Sequence, residues 1–297
     1  MWAAAFLLCT SIGAHAAENR GIWFWTSAES PWGAAQVIGN VSKEATVLQF
    51  FQQWKIGRVY CSFSPQAFKT PALIRTWNEE VHAAGLTSQL LLSENTWILP
   101  ANRASLLQAQ LKPKLIDFNA RATDPRQRFD ALHLDIEPNG LPAWPTMTPA
   151  KRRDYLLLLR DTFQDVRAFL DKNGARNIPV YADLPVWFDQ TTNPVKWKST
   201  ADRDAWFKAL AKSLAGITLM AYERNTAAAI KSGVTWELRN FKGETRIGLE
   251  AAIGPGRTWT TFSDFLAIIH TEETAWKPAH GVDIHDFVQF YAAAMAN

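Results

Sequence analysis

Two kinds of apolar spacing alternate along the chain. Short runs that are apolar at every residue, or at every second one, fall at 21–26, 56–63, 87–93, 131–137, 178–183, 216–222, 245–250 and 281–285. That period belongs to β-strands. Between them, apolar residues recur every three to four positions at 42–54, 71–84, 101–120, 149–172, 201–214, 227–241, 263–270 and 287–294. This is the spacing of helices that bury one face. Thr148-Pro149 and Ser263-Asp264 are helix-start signals, and Gly85 and Gly174 stand where two helices would stop.

Strand and helix in strict alternation predict βαβ units on a parallel sheet. Eight such units suit a single closed (β/α)8 TIM barrel, of class α/β, over residues 17–297. An open doubly wound sheet is the rival, but its first strand usually runs into a Gly-rich phosphate turn, which GIWFWTS is not. No Pro/Gly/Ser-rich linker and no repeat interrupts the pattern. The long loops at 27–40, 138–148, 184–200 and 251–262 all follow strands. In a barrel they crown the C-terminal face, where such enzymes keep their sites.

Residues 1–16, MWAAAFLLCTSIGAHA, stand outside this alternation. An apolar stretch closing on Ala14-His15-Ala16 before Glu18-Asn19-Arg20 reads as a cleaved signal peptide, so a secreted or periplasmic location is expected. A buried N-terminal helix is the alternative. Cys9 would leave with the leader, and Cys61 alone cannot form an internal disulfide. With 31 Lys+Arg against 28 Asp+Glu and no basic run, the chain is a poor nucleic-acid binder. No membrane span is expected after leader removal, and a monomer is expected.

The chemistry gathers on the fourth strand, Asp130-Ala131-Leu132-His133-Leu134-Asp135-Ile136-Glu137-Pro138. Alternation puts Leu132, Leu134 and Ile136 against the helices and points His133, Asp135 and Glu137 into the barrel. Carboxylates there are costly unless paired or solvated. Two acids two residues apart at the strand end favour keeping one protonated near neutrality, as a general acid requires. The plain alternative is that they satisfy buried backbone or arginine groups.

This strand resembles the D-x-x-D-x-D-x-E signature of glycoside hydrolase family 18, the chitinase-type barrels. Asp130 takes the first position, Asp135 the third acid and Glu137 the terminal Glu, while His133 replaces the second Asp. The resemblance implies that Glu137 is the acid/base. Asp135 would orient a substrate N-acetyl group whose carbonyl oxygen is the nucleophile, a substrate-assisted retaining route. Met220-Ala221-Tyr222-Glu223 is similar to the family's Met-x-Tyr-Asp, which implies that Tyr222 donates a hydrogen bond to the acetamido group. Leu90-Leu91-Leu92-Ser93 is similar to the family's third strand, with Glu94-Asn95-Thr96 in place of glycines, and His285 stands near where the family carries a Trp.

A second constellation competes. Glu250 ends the seventh strand. With Glu137 it resembles the two-glutamate retaining glycosidases, whose carboxylates stand about 5 Å apart; that clan has Asn where Ile136 precedes Glu137. A non-catalytic glycan-binding barrel is the third reading. Asp183, in phase with Tyr181, is a candidate hydroxyl acceptor or a loop cap, and Arg224 a candidate partner for Glu223 or Glu250.

Tryptophan is the compositional outlier, with 14 copies. Trp25, Trp32, Trp97, Trp144, Trp187, Trp197 and Trp259 fall near strand ends, as a cleft that stacks sugar rings requires. Trp54, Trp77, Trp206 and Trp236 lie in helical patterns and read as core. Candidate substrate contacts are therefore Trp25, Trp97, His133, Trp144, Asp183, Trp187, Met220, Glu223, Arg224 and Glu250. HExxH, GxSxG, P-loop and GxGxxG motifs are absent. The six His show no metal spacing, His133 with Asp135 being the one conceivable metal pair, so no cofactor is implied and the expected partner is a poly- or oligosaccharide.

Overall fold

The computed structural model describes residues 20–192, 194–276 and 280–297. The leader predicted at 1–16 lies outside these residues. Eight parallel strands close into a barrel in sequence order, β1 next to β8. They are β1 Arg20–Phe24, β2 Ile56–Cys61, β3 Thr87–Ser93, β4 Ala131–Asp135, β5 Val180–Pro185, β6 Gly216–Met220, β7 Glu244–Glu250 and β8 Val282–His285. The helices among the described residues are α1 Ala34–Val37, α2 Val41–Gln53, α3 Pro71–Ala83, α4 Asp117–Ala120, α5 Pro149–Lys172, α6 Thr200–Leu210, α7 Ala227–Asn240, α8 Phe262–Ala275 and α9 Phe287–Met295.

The predicted elements recur with ends shifted by a few residues. The largest departures are physical ones. The helix expected at 263–270 runs on to Ala275, because Glu272 turns inward and receives the Trp276 indole N–H at 2.9 Å. The helix expected at 101–120 starts later. Short 3₁₀ turns at Asn95–Ile98 and Pro100–Asn102 carry the chain away from the mouth before a π-type segment, Ser105–Ile116, leads into α4.

Strand alternation divides the buried side chains into two populations. Leu132, Leu134 and Ile136 join Phe24, Leu90, Leu184 and Leu249 in the large apolar layer between sheet and helices. Trp77 and Trp206 are fully buried in it, with Trp54 and Trp236 packed against its edge. The lumen holds a separate small cluster, Trp23, Tyr60 and Leu91 with Trp25 above. Barrel lumens are typically filled by layers of Val, Ile and Leu. This one is filled by aromatic, polar and charged groups.

The lower lumen is centred on a buried ion pair. Arg246 of β7 reaches Asp283 of β8 through Nε and Nη2 at 2.6–2.9 Å, and both side chains are essentially unexposed. Asp283 also accepts the Gly21 N–H at 2.8 Å and the Thr218 hydroxyl at 3.0 Å. Burial pushes the Asp283 carboxyl up, but Arg246 outweighs it and holds it below the usual range. Gly21 is required here, since a Cβ would fall 2.3 Å from Asp283 Oδ1 and from the Tyr60 hydroxyl.

Candidate active site

Above the ion pair, β4 and β5 supply a buried relay. His133 stacks on Tyr60 with ring centroids 4.1 Å apart. Its Nε2 lies 2.8 Å from Asp183 Oδ1, and the Trp23 indole N–H donates to Asp183 Oδ2 at 3.1 Å. Both carboxylate oxygens are thereby engaged, and His133 and Asp183 are sealed in the lumen, at 0% and 1% exposure. Both of these candidate substrate contacts are thus enclosed below the rim and already partnered, so neither presents a free polar atom at the mouth. Pairing with Asp183 also accounts for His133 without a metal. Among the described residues no three His, Cys, Asp or Glu side chains gather as a cation site.

Asp135 and Glu137 stand at the rim, the next two inward positions of the same strand line. Asp135 pairs in register with Ser93, whose hydroxyl donates to Asp135 Oδ2 at 3.4 Å, while Oδ1 is buried without a partner. Burial, with the nearby charges of Asp183 and Glu137, drives the Asp135 carboxyl well above its ordinary range. Glu137 is also raised, chiefly by burial and in part by Asp183, against the opposing hydrogen bond from Asn139 Nδ2 at 2.9 Å. Its backbone N–H donates to Asn95 Oδ1 at 2.7 Å. No arginine caps either acid among the described ion pairs. Each would enter a reaction at neutral pH with more proton on it than an exposed carboxyl keeps.

Glu137 opens into a cavity of about 430 Å³ with Asn139, Trp187, Met220, Tyr222, Glu223 and Arg224 in its wall. Burial, with the acids around it, pushes the Tyr222 phenol well above its ordinary value, so it stays a proton donor. Glu223 sits in the left-handed region at φ 63°, in the turn that lifts the chain off β6. Among the described residues Arg224 pairs with neither Glu223 nor Glu250; its Nη1 donates to the Ala229 carbonyl at 3.4 Å, and its charge acts on Asp189.

Across the mouth, Tyr222 packs on His285 with centroids 4.9 Å apart. The Trp25 indole N–H donates to His285 Nε2 at 3.0 Å. An indole is a donor only, so this bond makes the imidazole an acceptor at Nε2. Burial lowers the His285 pKa against the opposing charges of Asp286, Asp183 and Glu250, in keeping with a neutral ring. Glu250 pairs in register with His285 and shares the inward phase of Arg246 and Gly248.

The tryptophans divide. Trp25 and Trp97 line a second cavity, over β1–β3, and Trp187 lines the Glu137 cavity. Trp144 is buried against Trp187, 6.0 Å between centroids. Trp197 and Trp259 are core residues whose indole N–H groups donate to the Phe188 and Glu250 carbonyls. Trp32 packs on Tyr291, away from both cavities. Of the seven rings expected from position, Trp25, Trp97 and Trp187 line these two cavities.

The sequence pattern gave no role to Asn95, Asn139, Ser93 or Trp23. Gly140 carried a signal: a Cβ there would lie 2.2 Å from Asn95 Nδ2, so the two are built against each other.

No family model matches the chain, and no curated protein matches it by sequence. The fold is shared with solved barrels. A family GH18 chitinase from Chromobacterium violaceum is 13% identical with a TM-score of 0.53, over 92% of this chain and 79% of that one. A chitinase from Chromobacterium violaceum ATCC 12472 is 10% identical with a TM-score of 0.51, over 94% and 98%. The D-psicose 3-epimerase from Clostridium cellulolyticum H10 with D-tagatose is 12% identical with a TM-score of 0.51, over 91% and 85%. The shared property is the (β/α)8 barrel.

Proposed function

We propose that the protein is an exported glycoside hydrolase acting on a polysaccharide with N-acetylated units. The observation that carries this reading is Glu137: a carboxyl raised by burial, uncapped by any arginine among the described residues and open to a cavity, beside a second raised acid with an unpartnered oxygen. Glu137 would give its proton to the leaving glycosidic oxygen as the C1–O bond breaks. The acetamido carbonyl oxygen of the same sugar would close onto C1, its N–H held by Asp135 Oδ1 and its oxygen by the Tyr222 hydroxyl. Glu137, now ionised, would take a proton from the water that reopens the ring, restoring the starting configuration. Trp187 offers a flat face for the sugar. Two of the fold neighbours are chitinases; the epimerase shows that the barrel also serves other sugar chemistry.

The inward phase of Glu250 supports one alternative, a double displacement with Glu250 as nucleophile. Glu250→Gln separates them. Loss of turnover, with azide rescue giving the inverted glycosyl azide, would select the two-glutamate route and sink the acetamido one. The test of hydrolysis itself is release of reducing ends from chitin oligomers and bacterial exopolysaccharides. Wild type should release them and Glu137→Gln should not; binding without release by wild type would make the protein a glycan-binding barrel.

A further inference from the structure

The acid pair lies between two cavities. The Glu137 cavity covers the ends of β4–β6. The other, of about 640 Å³, covers the ends of β1–β3, and Ser93 links it to the acids, because this residue both lines the cavity and donates to Asp135. Its wall has Trp25 and Trp97 as flat faces, with Asn102, Gln110, Thr96 and Lys114 among its polar groups. Rings for stacking and neutral hydrogen-bonding groups suit a sugar. Lys114 is the informative exception.

The Lys114 ammonium is half-buried 5.0 Å above the Phe68 ring and makes no ion pair with any described carboxylate. Glu94, also in this wall, is spent as a helix cap, accepting the Thr96 N–H at 2.9 Å. Burial lowers the Lys114 pKa, as it does for a cation that has lost part of its hydration. On the opposite side of the acids, Arg224 lines its cavity with no ion pair to a carboxylate among the described residues, its charge acting on Asp189, which is not part of the cavity wall. Each flank of the reacting bond thus presents one cation with no described carboxylate in ion-pair reach. Residues that served only stability would gain from being paired there.

We infer that the substrate is an anionic glycan, with a unit carrying a carboxylate or sulfate seated in the β1–β3 cavity on Lys114 and a second anionic group met by Arg224. This rests on the glycosidase reading and sharpens it. A chain filling both cavities passes over Asp135 and Glu137, so cleavage falls within the chain rather than at its end.

The experiment measures binding to the full-length Glu137→Gln protein by calorimetry. The probes are chitohexaose, its O-sulfated form and hyaluronan hexasaccharide, at low and high salt. At least one anionic probe should bind tenfold or more tightly than chitohexaose, with the preference falling as salt rises. Adding Lys114→Gln should erase most of that preference and leave chitohexaose affinity unchanged. Preference for the sulfated probe or for hyaluronan distinguishes sulfate from carboxylate. Equal binding of all three, unaltered by Lys114→Gln, would overturn the inference while the glycosidase reading stands. Binding of none would overturn both.

Discussion

Asn95, just past the end of β3, accepts the backbone N–H of Glu137 through its side-chain oxygen at 2.7 Å. The acid proposed to donate the proton is therefore fixed from the neighbouring strand, through its main chain and not its carboxyl. Glu137 lies beyond the last ladder residue of β4, so Asn95 replaces a ladder bond the strand no longer provides.

Removing that support should misplace the carboxyl without altering its chemistry. Asn95→Ala should lower kcat by about tenfold to a hundredfold, the usual cost of a misaligned reacting group, with a smaller change in KM. Gly140→Ala should do the same by pushing Asn95 aside, since the added Cβ falls 2.2 Å from Asn95 Nδ2. Steady-state kinetics on any accepted glycan checks both. A KM effect alone would make Asn95 a binding group.

Asp135 should cost the protein stability. Its folded carboxyl titrates above the ordinary 3.8, so the native chain keeps a proton that the unfolded chain loses. Between 3.8 and the raised folded value, each step up in pH therefore favours the unfolded state. Asp135→Asn should melt higher than wild type at neutral pH, with the gap narrowing below about pH 4, as calorimetry across pH would show. A variant less stable at neutral pH would mean that the acid is satisfied in the folded state.

The Arg246–Asp283 pair has the opposite sign. The Asp283 carboxyl is held down in the fold, so its contribution is present above the ordinary aspartate range and is lost as pH falls through the folded value. Arg246→Met would strand a buried carboxylate and should cost about 3–5 kcal/mol. Chemical denaturation at pH 7 reads this. A loss under 1 kcal/mol would show that Asp283 is satisfied by Gly21 and Thr218 without the arginine.

Trp187→Ala should raise KM up to about tenfold, the range of one aromatic contact, with kcat little changed. Trp197→Ala should instead lower the melting temperature, because that indole is core and its N–H is tied to the Phe188 carbonyl. The two variants separate cleft tryptophans from structural ones.

The fold was legible because two periods interleave cleanly. The apolar run Leu90-Leu91-Leu92 within 87–93 and the alternating 131–137 admit few other structures, and alternation alone pointed His133, Asp135 and Glu137 inward. The contents of the lumen were not legible. The contact of Asp183 with His133 and Trp23 joins three strands, and such partners depend on the stagger of the closed sheet, which no local window contains. Asn95 and Asn139 read as ordinary loop residues until the turns bring them to Glu137. Trp144, Trp197 and Trp259 follow strands closely in sequence, but nearness to a strand end does not decide which side of the loop a ring takes.

Among the described residues, side-chain ties cross from β3 or its flanks to β4 beyond the ladder itself, including Ser88 N–H to Asp130, Gln89 with His133, Ser93 to Asp135 and Asn95 to Glu137. They act as rungs, making these two strands a stiff rail along which the acids are spaced. The groups facing them from β6 to β8, such as Tyr222 and Glu250, hang on the far bank, with no such bracing toward the rail among the described residues. Divergence in what the protein accepts has room on that bank, where loops can be exchanged without moving the two carboxyls.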